Sequence, residues 1–167
     1  MEYISSDTNV WIDFNIISRM NLPFLLPYTY IMYTESMESE LLNPEGFKDQ
    51  LAEAGLVGVD ITIEEFFLAQ SWGPLYPKLS IQDRIALAIA KQRDITLLTG
   101  DKALRMAAAQ EGVHVIGTLG ILDQLFDGQY IAKDEYLYCL QEFQKHNGEV
   151  RLPRAELKKR LDCFNDS

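Results

Sequence analysis

The chain has 167 residues, 47% of them hydrophobic and 24% charged, a composition that fits one globular domain with a sizeable core and excludes an intrinsically disordered class. Its formal net charge of -10 argues against a general nucleic-acid coat, because phosphate binding relies on Lys and Arg. A nuclease stays open, since part of that charge would belong to a metal site, where a bound cation reverses the local sign.

Strand-like runs fall at YISS, YTYIMYT, LVGVDI, ITLLT and VHVIG, separated by segments whose apolar spacing is helical. That alternation predicts an α/β fold, with a central parallel sheet carrying helices on both faces. The first run leads into Asp7 and a helix expected to start near Thr8. The second leads to a short helix around Met37, Leu41 and Leu42, where Glu40 or Glu38 supplies a carboxylate. SWGPLYPKL, with two prolines and a glycine, reads as a loop bordering the substrate groove. It feeds the clearest helix, IQDRIALAIAKQR, with Ile85, Ala88 and Ile89 on one face and Ala86 and Ala90 widening it. DKALRMAAAQEG is a further helix, stopped by Gly112 before the strand VHVIG. Past Gly128, DEYLYCLQEFQKH and RAELKKRLDCF form a helical pair interrupted by NGEVRLP. Residues 1–130 are therefore expected to make the main domain, and 131–167 a helical extension packed on it.

No apolar stretch approaches the ~20 residues of a membrane span, and MEYISSDTN lacks a basic region followed by an apolar one. No membrane association is expected. Cys139 and Cys163 form no metal or redox motif, so the reduced cytoplasm is the simplest compartment.

Four acids stand just past apolar runs: Asp7 in ISSDTN, Glu40 in ESMESELL, Asp83 in LSIQDRIALAIA and Asp101 in ITLLTGD. A parallel sheet gathers such residues at its carboxyl edge, where open α/β folds bind ligands. Carboxylates brought together repel one another, and a hard cation such as Mg²⁺ or Mn²⁺ is the usual remedy. Each acid also has a purely structural reading. Asp7 and Asp101 can cap the helices that follow them, Ser80 and Asp83 have capping-box spacing, and Glu40 can be an exposed helical charge. Recurrence at one end of successive elements favours the shared site. Asn9 and Thr99 are short polar groups suited to bonding ligand carboxylates. Lys78, Arg84, Lys102 and Arg105 are the nearest cations for a phosphate backbone, or else a solvated surface. GTLG before a helix reads as a turn or an anion site, and His114 and His146 as structural.

SSDTNVWIDF, a Glu beside Leu-Leu, Ser80-x-x-Asp83 opening an Ala-rich helix, and TGD at Thr99–Asp101 together resemble the PIN domain over nearly the whole chain. ITLLTGDKALRMAAAQEGVHVIGTLGIL looks especially like the subgroup related to VapC-type toxins, which carries a helical carboxyl-terminal extension. The resemblance implies a three-layer α/β/α fold and a ribonuclease using one or two Mg²⁺ or Mn²⁺ ions. Asp7, Asp83 and Asp101 would be the main metal ligands. Glu40, with Glu38 as the alternative, would bind a second ion or orient water, and Asn9, Ser80 and Thr99 would support the set. It further implies an RNA substrate, a homodimer and the toxin half of a toxin–antitoxin pair, with an antitoxin laying a basic segment across the carboxylates. A regulatory PIN-fold module with little or no nuclease activity is the competing reading. A nucleotide-handling enzyme ranks last, for want of a phosphate-cradling glycine motif.

Overall fold

The computed structural model describes residues 2–165. Five parallel strands form one sheet: β1 (Glu2–Ser6), β2 (Tyr28–Tyr33), β3 (Val57–Val59), β4 (Thr96–Leu98) and β5 (Val115–Ile116), in the order β3-β2-β1-β4-β5. Nine α-helices occur among the described residues: α1 (Thr8–Ile16), α2 (Thr34–Glu40), α3 (Phe47–Ala54), α4 (Ile63–Ser71), α5 (Ile81–Arg93), α6 (Lys102–Gln110), α7 (Thr118–Asp127), α8 (Lys133–Lys145) and α9 (Arg154–Asn165). Helices cover both sides of the sheet, so the architecture is three-layer α/β/α.

Strand side chains alternate between the two layers, as the period of two requires. Ile4, Tyr30, Met32 and Leu98 enter a core with α1, α3, α7, α8 and α9, whereas Ile31 and Leu97 enter a second core with α4, α5 and α6. Tyr136, Leu140 and Phe143 of α8 and Leu157 and Leu161 of α9 share the core of β1, which gives the carboxyl-terminal helices their apolar cover.

The register places Ile4 between Tyr30 and Thr96 and continues to Ser6 opposite Leu98. β2 and β3 lie on one side of β1, β4 and β5 on the other. Helix α1 leaves β1 towards one layer, and α6 leaves β4 towards the opposite layer. Chains diverging in this way open a crevice beyond the carboxyl ends of β1 and β4, the switch point where α/β sheets bind ligands.

The sequence expectation overstates the edge strands. LVGVDI forms three residues of strand and VHVIG two. Gly112, at φ +73°, turns the chain immediately before the latter, and short edge strands limit unpaired backbone. His114 lies just before β5 rather than in a strand and is exposed, and its carbonyl accepts Leu97 N–H at 2.9 Å. The loop around SWGPLYPKL packs inwards through Trp72 and Leu79 onto the α4–α5–α6 layer.

Helix α5 is the best-positioned element. Ser80 and Asp83 form a reciprocal capping box, and Ile85 to Ala90 are all buried. The small side chains of Ala86 and Ala88 let the helix sit against β1, where Ser5 Oγ donates to the Ala86 carbonyl at 2.8 Å. The carboxylate in its first turn is thereby tied to the sheet.

The segment 147–153 crosses the carboxyl edge as a strap between α8 and α9, and it rests on Gly100. A Cβ at Gly100 would run into the Arg151 carbonyl oxygen, a backbone atom with little room to yield. Gly100→Ala is expected to lift the strap and destabilise the protein by about 1–3 kcal/mol, the usual cost of overpacking. Urea denaturation of parent and variant measures this, and an unchanged midpoint would contradict it.

Candidate metal centre

Asp7 ends β1 and opens α1. It occupies the helix N-cap position, yet its side chain makes no capping bond. Its backbone N–H donates to the Leu98 carbonyl at 2.9 Å, and its Oδ2 accepts from Thr99 Oγ1 at 2.8 Å. The side chain is turned across the crevice towards β4. At 5% exposure it is largely dehydrated. Burial first, then Asp83, Glu40 and Asp101, raise its pKa from 3.8 to about 7, against the opposing effect of the Thr99 hydrogen bond.

Asp83 and Asp101 both fulfil their structural readings, each with one oxygen. Asp83 Oδ2 accepts from Ser80 N at 3.0 Å, and Asp101 Oδ1 accepts from Ala103 N at 2.9 Å. Asp83 is pushed above the ordinary range by burial, opposed by its bonds to Ser80 and by Arg151, and assisted by Asp101. Glu40 closes α2, and its Oε2 accepts from Thr8 Oγ1. Glu38 is exposed on the same helix, whereas Glu40 acts on Asp7.

Thr99, fully buried between β4 and α6, joins two of the acids. It donates to Asp7 Oδ2, and its oxygen accepts from Asp101 N at 3.1 Å. Ser80 acts only through the α5 cap. Asn9 lies half-buried in the first turn of α1 with no side-chain hydrogen bond among the described residues. Of the expected cations, Arg84 is engaged by the Ala69 carbonyl at 3.0 Å and the Ser80 carbonyl at 3.4 Å, which holds α4 on α5. It is not free for phosphate.

Two residues escaped the sequence reading. Asp13, 1% exposed, accepts from Arg151 N at 3.1 Å and Thr118 Oγ1 at 3.2 Å, and burial lifts its pKa to about 6. Its one sequence signal is a charge interrupting the apolar run VWIDFNII. It pins both the strap and the start of α7, so the hydroxyl of GTLG serves a carboxylate within the chain. Arg151 carries no local signal at all. The strap brings its Nη1 to 3.6 Å from Asp101 Oδ2.

Oxygen-only donors suit a hard divalent cation, and an ion would relieve the repulsion that raises Asp7. Asp7, Glu40 and Asp83 each keep one carboxylate oxygen clear of hydrogen bonds to the described residues. The donor chemistry therefore fits. No three His, Cys, Asp or Glu side chains among the described residues stand close enough to form a closed metal-binding set.

Acids converging from four elements on the switch point of a three-layer parallel sheet define an acid-centred α/β domain. The DUF3368 family model, described as a PIN domain, matches residues 3–166, and the chain belongs to this PIN-domain family. PIN domains are generally nucleases that act on nucleic acids and typically use divalent metal ions. No curated protein and no solved structure shows a significant match to the chain. No helix among the described residues is long and apolar enough to cross a membrane.

Proposed function

We propose that this protein is a metal-dependent endoribonuclease, with Asp7, Glu40, Asp83 and Asp101 as its catalytic and metal-holding acids. The observation that carries this reading is the convergence on Asp7: burial first, and then three acids from three other elements, raise one carboxyl to about pKa 7. A structural cap has no use for that arrangement. One or two bound Mg²⁺ or Mn²⁺ ions would supply a Lewis acid that activates water and neutralises charge on the phosphodiester. The chain's own residues prepare the site. Thr99 favours the ionised form of Asp7, the Ser80 cap holds Asp83 in place, and Thr8 orients Glu40.

The test is Mn²⁺-dependent cleavage of a mixed RNA panel, with Asp83→Asn prepared identically. Asn retains an oxygen for the Ser80 cap, so α5 should survive. Cleavage is expected from the parent, reduced at least about 100-fold in the variant. Equal cleavage by both would assign it to a contaminant. No cleavage by the parent, together with no Mn²⁺ binding in calorimetry, would leave the regulatory PIN-fold module as the better reading.

The toxin half of a toxin–antitoxin pair is the biological setting this reading favours, in the cytoplasm and as a homodimer. An acidic chain suits an antitoxin whose basic segment lies across the carboxylates. The contact of Arg151 with Asp101 supports that chemistry from within the chain. Sedimentation equilibrium tests the dimer.

A further inference from the structure

Beside Asp101 the carboxyl-terminal strap and α6 enclose a groove lined by Lys102, Arg105, Arg151, Arg154 and Asn147, with a volume of about 660 Å³. Four of the chain's 15 Lys and Arg residues thus meet in one place, on a protein of net charge -10. Arg19, Lys91, Arg93, Lys145 and Arg160 are held by carboxylates elsewhere in the molecule. Lys102, Arg105 and Arg154 have no carboxylate partner among the described residues, and Arg151 has only its 3.6 Å contact with Asp101. Lys48, Lys78, Arg84, Lys133, Lys158 and Lys159 also lack a carboxylate partner among the described residues, so what distinguishes these four is that they line one groove. Arg105 Nε is buried without a hydrogen-bond partner, the one such side-chain atom among the described residues. A buried cationic donor left unbonded is costly unless a ligand completes it.

We infer that this groove is the track on which single-stranded RNA lays its phosphates on the way to the acid site, with Arg151 and Arg154 of the strap forming one wall and Lys102 and Arg105 of α6 the other. This rests on the ribonuclease reading and deepens it. Lys102 and Arg105 are three apart on α6, so they share a helix face. Arg154 opens α9, whose amino terminus adds partial positive charge at the same mouth. The backbone of Arg151 is fixed by Asp13 and Gly100, while its side chain is 59% exposed and free to move between Asp101 and a phosphate. The track begins at Asp101 itself, which is why a strongly acidic protein can take a polyanion here. Cations at the groove offset the carboxylates where an RNA must approach them.

The test is fluorescence anisotropy of a labelled oligouridylate with the full-length protein in EDTA, titrated from low to moderate salt, so that cleavage does not enter. Lys102→Gln, Arg105→Gln, Arg151→Gln and Arg154→Gln are compared with Lys91→Gln, which lies at the opposite, amino-terminal edge of the sheet beside Glu2 and Thr96. Each groove variant should weaken binding on the order of threefold to tenfold and reduce the slope of log K against log salt by about 0.7, one phosphate's worth for a single strand. Lys91→Gln should match the parent, and thermal melts should show all variants folded. Slopes unchanged in the groove variants, or no binding by the parent, would overturn the track. Equal capture of a polyglutamate peptide, with the same loss in the variants, would also overturn it by making the groove a surface for acidic protein. Failure here with Mn²⁺-dependent cleavage intact sinks the track alone. Reduced slopes with neither cleavage nor Mn²⁺ binding sink the nuclease reading alone.

Discussion

Asp7→Asn is expected to abolish metal-dependent RNA cleavage while making the EDTA-treated protein more stable at neutral pH. The two effects have one cause. Asp7 is buried among three other acids, and its pKa of about 7 means that folding makes ionisation difficult. An acid whose folded pKa lies above its unfolded value of 3.8 contributes stability that is present at low pH and lost as pH rises through the interval from 3.8 to about 7. Over that interval the loss reaches roughly 4 kcal/mol, with each unit worth about 1.4 kcal/mol. Asn carries no charge to desolvate and still offers an oxygen to Thr99. Urea denaturation at pH 5 and pH 8 in EDTA should show parent stability falling towards pH 8 and a flatter dependence in the variant. Added Mn²⁺ should raise the parent's melting temperature and leave that of the variant unchanged. A variant less stable than the parent at pH 8 would show that Asp7 serves structure, and retained cleavage would remove it from the reaction.

Thr99→Val is expected to cost about 10–100-fold in metal-dependent cleavage, the range found when a group bonded to a metal ligand is removed. Valine keeps the shape of threonine, so the fully buried site between β4 and α6 stays filled. What disappears is a hydroxyl that both donates to Asp7 and accepts from the Asp101 backbone N–H. The donated bond lowers the pKa of Asp7, so its loss raises that pKa further. The carboxylate is needed ionised, and the acidic limb of the pH–rate profile should therefore move to higher pH in the variant. The orphaned Asp101 N–H adds an expected loss of about 1–3 kcal/mol in stability. A variant with lowered activity but an unshifted acidic limb would point to general loosening of the crevice and away from control of Asp7 by Thr99.

Much of the fold is legible in local pattern because strands and helices declare themselves by periods of two and 3.6. The run IQDRIALAIA carries its own start signal in Ser80 and Asp83, and that capping box forms as spaced. Edge strands are less legible. LVGVDI has the composition of a strand, but pairing length depends on the partner strand and on glycine turns that local propensity does not weigh. Among the acids, Asp83 and Asp101 satisfy their cap readings and still act on Asp7, so a capping role does not remove either from the candidate site. Only the tertiary structure brings the end of α2, with Glu40, beside Thr8.

The sequence by itself determined the order of the elements, the parallel sheet and the four acids at its carboxyl edge, because each depends on neighbours within a few positions of the chain. Tertiary structure alone decided that Arg151 reaches Asp101, that Asp13 anchors the strap, and that Arg84 is engaged by backbone carbonyls while Arg105 is not. Asp13 and Arg151 are separated by 138 positions. No periodicity spans that distance; the packing of α8 and α9 onto the core of β1 carries the strap back over the site, and packing then sets which charges are bonded within the chain.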